Sequence, residues 1–207
     1  MTARLPNSYF DDKYAEAKDP WKLEERWYER RKYAITLALL PHPRYRHAFE
    51  PGCSIGVLTE HLTRRCDRVT ATDVATEALD AADRRLVDAG SRERVTLLRS
   101  SLDEPWPAMH FDLVVLSELG YYLEAAELRT VLDLEVARLA RGTIVVAAHW
   151  RHRVDDYPIT GDRANDVIGA TAGLHHLAGY RDADVVIEVF DTGPPLSVAA
   201  RTGVPGA

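Results

Sequence analysis

Cysteine is scarce: Cys53 and Cys66 are the only two in 207 residues, and they lack metal-ligand spacing. A disulfide-stapled or zinc-ribbon scaffold is therefore excluded. No apolar run approaches the roughly 18 residues that a membrane helix needs, and no leader-type apolar stretch opens the chain. No membrane partner is expected, and the expected compartment is the cytoplasm. Positive charge is also in deficit, with Lys+Arg 26 against Asp+Glu 32 and a net charge of -6. Phosphate binding wants a basic face, so no nucleic-acid partner is expected and the partner should be a small molecule. Internal repeats and low-complexity tracts are missing as well. The length fits a single domain, 1–207, with a substantial core.

What is present centres on the segment from His47 to Leu62. A short apolar lead, Ala48 and Phe49, runs into Glu50, then into a turn holding Gly52 and Gly56. A helical pattern follows, with Val57, Leu58 and Leu62 on one face. Such a turn lets backbone N–H groups approach a ligand closely, and the helix start adds positive dipole character. The spacing here is G-x-x-x-G, because Ser54 stands where a dinucleotide fold has its middle glycine. A nicotinamide-dependent oxidoreductase is disfavoured on that ground. A carboxylate at Glu50 sits badly beside a pyrophosphate and suits a ligand with an ammonium or sulfonium centre. Cys53, inside the turn, reads as a small buried filler.

The segment E-P-G-C-S-I-G, followed by Asp73 at the end of the next strand, resembles the first motif of class I S-adenosylmethionine-dependent methyltransferases. More narrowly, the chain resembles the NodS-like N-methyltransferases. That likeness is carried by D-P-W at 19–21, E-R-R-K-Y at 29–33, residues 50–60, F-D-L-V-V-L-S-E-L-G-Y-Y-L at 111–123, H-W-R at 149–151 and D-Y-P-I-T-G-D at 156–162. The resemblance implies S-adenosyl-L-methionine as cofactor, S-adenosyl-L-homocysteine as product, no metal, and the amine of a small molecule such as an amino-sugar as acceptor. Transfer to oxygen or carbon, or SAM binding without catalysis, are the alternatives.

Strand and helix patterns alternate at short spacing from Arg68 onward. This predicts a Rossmann-like, doubly wound α/β fold with a mostly parallel seven-stranded sheet and an antiparallel last strand. Residues 47–202 form the expected core, and 1–41 an N-terminal helical lid broken at Pro20. In the second lid helix Leu23, Trp27, Arg31, Ala34 and Ala38 fall on one stripe, read either as a packing face or as a cover for the cofactor. The neighbouring Arg30, Arg31 and Lys32 read as a solvated basic run. Val185 to Phe190 and Leu196 to Ala200 are expected as the final hairpin. His175 and His176 fall on an expected short helix over 163–177 and receive no role.

Ligands of such sheets sit beyond the carboxyl ends of the strands. The expected cofactor residues are Trp21, Arg31, Glu50, Gly52, Cys53, Gly56, Asp73, Val74, Ser101, Leu102 and Ser117. Arg31 would neutralise the methionine carboxylate and Asp73 would accept the ribose hydroxyls, although Asp73 also reads as a helix cap. Ser101 stands where the resemblance leads one to expect Asp. Glu118 and His149 are the candidates to hold the acceptor amine and take its proton. Glu118 also reads as a turn cap, and His149 as a core histidine. Tyr121, Tyr122, Trp150, Arg151 and Asp156 are expected around the acceptor. Asn165 replaces a histidine of the NodS-like pattern, which bears on the acceptor only if that position touches it.

Overall fold

The protein is described here by a computed structural model covering residues 4–207. Two helices lead, α1 (Asn7–Glu16) and α2 (Trp27–Leu39), followed by β1 (Tyr45–Pro51), α3 (Val57–Thr63), β2 (Cys66–Asp73), α4 (Thr76–Asp88) and β3 (Val95–Arg99). Then come β4 (Leu113–Ser117), α5 (Ala125–Val136), β5 (Ile144–Trp150), α6 (Gly161–Gly169), β6 (His175–Arg181), β7 (Val185–Asp191) and α7 (Val198–Arg201). The strands form one sheet in the order β3-β2-β1-β4-β5-β7-β6. Strands β1 to β5 pair in parallel, and β7 runs antiparallel to both β5 and β6. This is the Rossmann-like, mostly parallel seven-stranded sheet expected from the sequence.

Strands β4 and β5 are almost wholly apolar because helices cover both faces of the sheet. One apolar layer, including Leu62, Val69, Leu86 and Val146, packs under the lid side and α3 and α4. The other, including Phe49, Val114, Leu132, Ile168 and Phe190, packs beneath α5 and α6. Strand order reverses between β1 and β4, so their carboxyl ends diverge and open a crevice there.

The C-terminal hairpin differs from the expected one. It is formed by β6 and β7, while Val198–Arg201 is one helical turn whose entry is capped by Ser197, with Ala200 N–H donating to Ser197 Oγ at 3.1 Å. His175 and His176 open β6 and do not lie on a helix. As an edge strand β6 is exposed along much of its length, so its sequence lacks the apolar signal of a buried strand.

The D-Y-P-I-T-G-D stretch turns the chain into α6. Thr160 caps the helix by accepting Arg163 N–H at 3.2 Å. Gly161 sits so close to β5 that an added Cβ would collide with the Trp150 carbonyl and press on His149 Cβ at 3.0 Å. Gly161→Ala is therefore expected to push α6 off β5 and cost about 1–3 kcal/mol. A urea midpoint equal to that of the wild type would contradict this packing. Among the described residues no helix is long and apolar enough to cross a membrane.

Candidate active site

The crevice between β1 and β4 is closed above by α1 and α2 into a cavity of about 530 Å³. That volume falls within the range of about 300–1,000 Å³ typical of small-molecule sites. Its floor is the turn after β1. Gly52 (φ 70°), Ser54 (φ 52°) and Gly56 (φ 77°) all take left-handed conformations, which for Ser54 is a strained choice. The strain is held from both sides: Ser54 N–H donates to Asp73 Oδ2 at 2.8 Å, and the Ser54 hydroxyl meets the Tyr14 hydroxyl of α1. Asp73 also accepts Ala75 N–H at 3.0 Å, which tightens the turn ahead of α4; the N-cap of that helix is Ala75, without a side-chain cap bond, so Asp73 is not its cap. Burial raises the Asp73 carboxyl above its ordinary range, against the pull of these N–H donors.

Glu50 is the most exceptional group on this floor. It is 3% exposed, and its Oε2 has no hydrogen-bond partner. Burial pushes its carboxyl up to about 8, opposed by the neighbouring Thr59 hydroxyl and slightly reinforced by the Asp73 charge. Neighbouring Cys53 is buried, and its thiol is driven well up by the same loss of water, so it is not a nucleophile.

At the other end of the cavity lies a buried ion cluster. Lys32, 1% exposed, places Nζ 2.6 Å from Glu118 Oε1 and 2.7 Å from Glu29 Oε2. Glu118 stands just beyond β4 with φ 57°, a strained conformation for a residue other than glycine. Its Oε2 accepts Trp150 N–H at 2.9 Å and the Tyr121 hydroxyl. Burial alone would raise Glu118, but Lys32 and these donors hold it below its ordinary value. Both oxygens are engaged, which suits a fixed anion more than proton uptake. Aromatic walls surround the cluster: Tyr28 meets Trp150 edge-on at 5.0 Å, Tyr121 stacks on Tyr157 at 4.8 Å, and Phe10 of the lid meets Tyr122 at 4.8 Å.

Of the residues expected from sequence, Trp21, Glu50, Gly52, Cys53, Asp73, Val74, Ser101, Leu102, Ser117, Glu118, Tyr121, Tyr122 and Trp150 line this cavity. Others do not. Arg31 turns outward to Asp182 Oδ2 at 2.8 Å and to the Tyr180 hydroxyl, which leaves it unable to meet a ligand carboxylate inside. Gly56 lies behind the turn, where an added Cβ would meet Ala82 Cβ at 2.9 Å; it spaces α3 from α4. Arg151 pairs with Asp162 at 2.9 Å, and Asp156 is exposed on the surface.

His149 is also outside the cavity, fully buried on the α6 side of β5. Its Nε2 accepts Gly120 N–H at 3.0 Å, which leaves Nδ1 as the protonated nitrogen, donating to Asn165 Oδ1 at 2.6 Å. Asn165 in turn donates to Glu188 Oε2 at 2.8 Å. Burial lowers the imidazole, so it stays neutral and has no free lone pair for a substrate proton. Asn165 likewise has no route to an acceptor, and the departure at that position alters a buried chain of hydrogen bonds.

The residues missed in the sequence lie on α2. Its inward face is Glu29, Lys32, Tyr33 and Thr36, whereas Trp27, Ala34 and Ala38 of the expected stripe are exposed. The i, i+3, i+4, i+7 spacing of that set was the available signal, concealed because a cavity-facing stripe is polar.

The family described as Nodulation protein S (NodS) matches residues 7–156. Nodulation protein S of Rhizobium tropici is 34% identical over 128 residues, covering 61% of this chain and 52% of the relative. The chain thus spans about half the length of that curated relative. Among solved structures, N-methyltransferase NodS from Bradyrhizobium japonicum WM9 in complex with S-adenosyl-L-homocysteine has a TM-score of 0.77 at 24% identity, covering 91% of this chain and 98% of that one. A Pseudomonas syringae structure is 37% identical with a TM-score of 0.68, covering 80% and 99% respectively. With a match that runs from the lid helix through the glycine turn to the loop after β5, the chain belongs to the NodS family.

Proposed function

We propose that the protein is an S-adenosylmethionine-dependent N-methyltransferase acting in the cytoplasm on the amine of a small molecule. The observation that carries this reading is that Glu50, buried and with one carboxylate oxygen lacking a hydrogen-bond partner, lines the same cavity as Asp73. A buried carboxylate without a partner is costly, and a ligand ammonium supplies both the charge and the donor it lacks. The matched family and the NodS structure with S-adenosyl-L-homocysteine point to the same ligand.

In this reading Glu50 holds the ammonium of the methionine half, and the Gly52 to Ser54 backbone lies against that half. Asp73 accepts from the ribose hydroxyls, while Val74, Ser101 and Leu102 border the base. Trp21 and Tyr14, edge-on at 5.5 Å, close over it. S-adenosylmethionine supplies a methyl group on a sulfonium centre, open to in-line attack by an acceptor lone pair. The chain then has to align the acceptor and exclude water, which Tyr28, Tyr121, Tyr122 and Trp150 do around Glu118.

Calorimetric titration with S-adenosyl-L-homocysteine tests this. Glu50 keeps its proton up to about pH 8 in the free protein and must release it to meet an ammonium. Affinity should therefore rise between pH 6 and 8, by at most about tenfold per pH unit. Absence of binding across that window would sink the reading. Product analysis with amines against alcohols separates N- from O-transfer.

A further inference from the structure

The ion cluster at the acceptor end carries two carboxylates against one ammonium. Glu29, 6% exposed, lines the cavity. Its Oε2 is ion-paired with Lys32 Nζ at 2.7 Å, so one ammonium is shared between Glu29 and Glu118. The buried Tyr28 hydroxyl, on the same wall, has no hydrogen-bond partner. Glu118 is the opposite case, with both oxygens occupied. Two carboxylates sharing one ammonium, beside a Tyr28 hydroxyl with no partner, on the wall of one cavity call for a cationic hydrogen-bond donor.

Resting on the methyltransferase reading, we propose that the acceptor arrives as a protonated amine docked between Glu29, Glu118 and the Tyr28 hydroxyl. The Glu29 carboxylate takes its proton, and Lys32 serves as the positioning residue. In that step an N–H bond breaks, an O–H bond forms on Glu29, and nitrogen keeps the electron pair. That pair forms the new N–C bond as the methyl leaves sulfur, and the electrons of the broken C–S bond stay on sulfur. The product leaves as a methylammonium, and Glu29 returns its proton to water when the cavity opens.

The surroundings favour this division of work. Glu29 is faced by Lys32 and Tyr33 of α2 and by Glu118 beyond β4, with Tyr28, Glu50 and Asp184 on the walls of the same cavity. Burial raises the Glu29 carboxyl, partly opposed by Lys32, which moves it toward the range of a working base. Lys32 keeps its charge, since the two carboxylates outweigh its burial. A fixed positive charge beside the docked ammonium makes that ammonium more acidic.

The test is methyl transfer from labelled S-adenosylmethionine to D-glucosamine, benzylamine and putrescine, with glucose and catechol as non-amine probes, by wild type, Glu29→Gln, Glu29→Asp and Glu118→Gln. Glu29→Gln is expected to bind S-adenosyl-L-homocysteine normally, yet lose about 100-fold in kcat at pH 7. The deficit should close as pH rises past the amine's own ionisation, where no base is required. Glu29→Asp should keep the wild-type pH dependence at lower kcat, and Glu118→Gln should raise KM for the amine. A Glu29→Gln deficit equal at pH 7 and pH 10 would mean a structural role and overturn the proposal. Wild-type transfer to glucose or catechol alone would overturn it while leaving a methyltransferase. Failure both to bind S-adenosyl-L-homocysteine and to transfer would remove both readings.

Discussion

Glu50→Gln is expected to stabilise the ligand-free protein at pH 8, raising its melting temperature by about 5–10 °C, while weakening S-adenosyl-L-homocysteine binding by about 10- to 100-fold. The two effects have one cause. In the folded protein, burial pushes the Glu50 carboxyl up to about 8, from 4.5 in the unfolded chain. Between those values the native state holds a proton that the unfolded state has lost, so stability falls as pH rises. Glu50's contribution is fully present below the unfolded value and is lost as pH passes through about 8. Glutamine never ionises, so the variant should lack that decline. It also cannot offer a full negative charge to a ligand ammonium. Melting curves from pH 5 to 9 and titrations at pH 8 check both parts. Parallel pH slopes in variant and wild type, or unchanged affinity, would remove the argument for Glu50 as the ligand's anchor.

Lys32→Met should have the opposite sign. Removing one member of a buried ion cluster leaves the others uncompensated, a loss of about 3–5 kcal/mol at pH 7, or about 10 °C. The Glu118 carboxyl, raised by burial but brought below 4.5 by Lys32, contributes stability above its unfolded value and loses it as pH falls through its folded value. The gap between wild type and variant should therefore narrow from neutral pH toward about pH 4. Urea midpoints at pH 7 and pH 4.5 measure this. Lys32→Met with Glu118→Gln should recover part of the loss, because one of the stranded charges is gone. A loss below about 1 kcal/mol that ignores pH would mean water reaches the cluster freely.

The sequence was informative wherever function and packing wanted the same thing. The turn around Gly52, the carboxylates at Glu50 and Asp73 and the apolar runs of β4 and β5 could all be read, since backbone geometry and burial restrict those positions to few residue types. Reading failed where the two diverged. The α2 stripe of Trp27, Ala34 and Ala38 looked apolar, yet the helix turns Glu29 and Lys32 inward because its inner face borders a cavity. The family resemblance assigns Arg31 to a ligand carboxylate, whereas its partners are Tyr180 and Asp182, about 150 residues away in sequence and beyond the reach of local pattern. His149 sits at a strand end where motif logic puts chemistry. Strand alternation nevertheless turns its ring to the α6 side, and Gly120 and Asn165 use both nitrogens.

The two helices of the cover are held very differently. Helix α2 is tied to the body through Lys32–Glu118, Arg31–Asp182 and the Tyr28–Trp150 contact. Helix α1 is attached by Tyr14 to Ser54 and by Phe10 to Tyr122, with Arg4 bonded to Asp103 just ahead of it. The connection between them, residues 17–26, is non-helical and includes Lys22 at φ 56°. The first helix therefore has fewer ties to give up than the second, and the cover's share of the buried ion cluster belongs entirely to its better-anchored half.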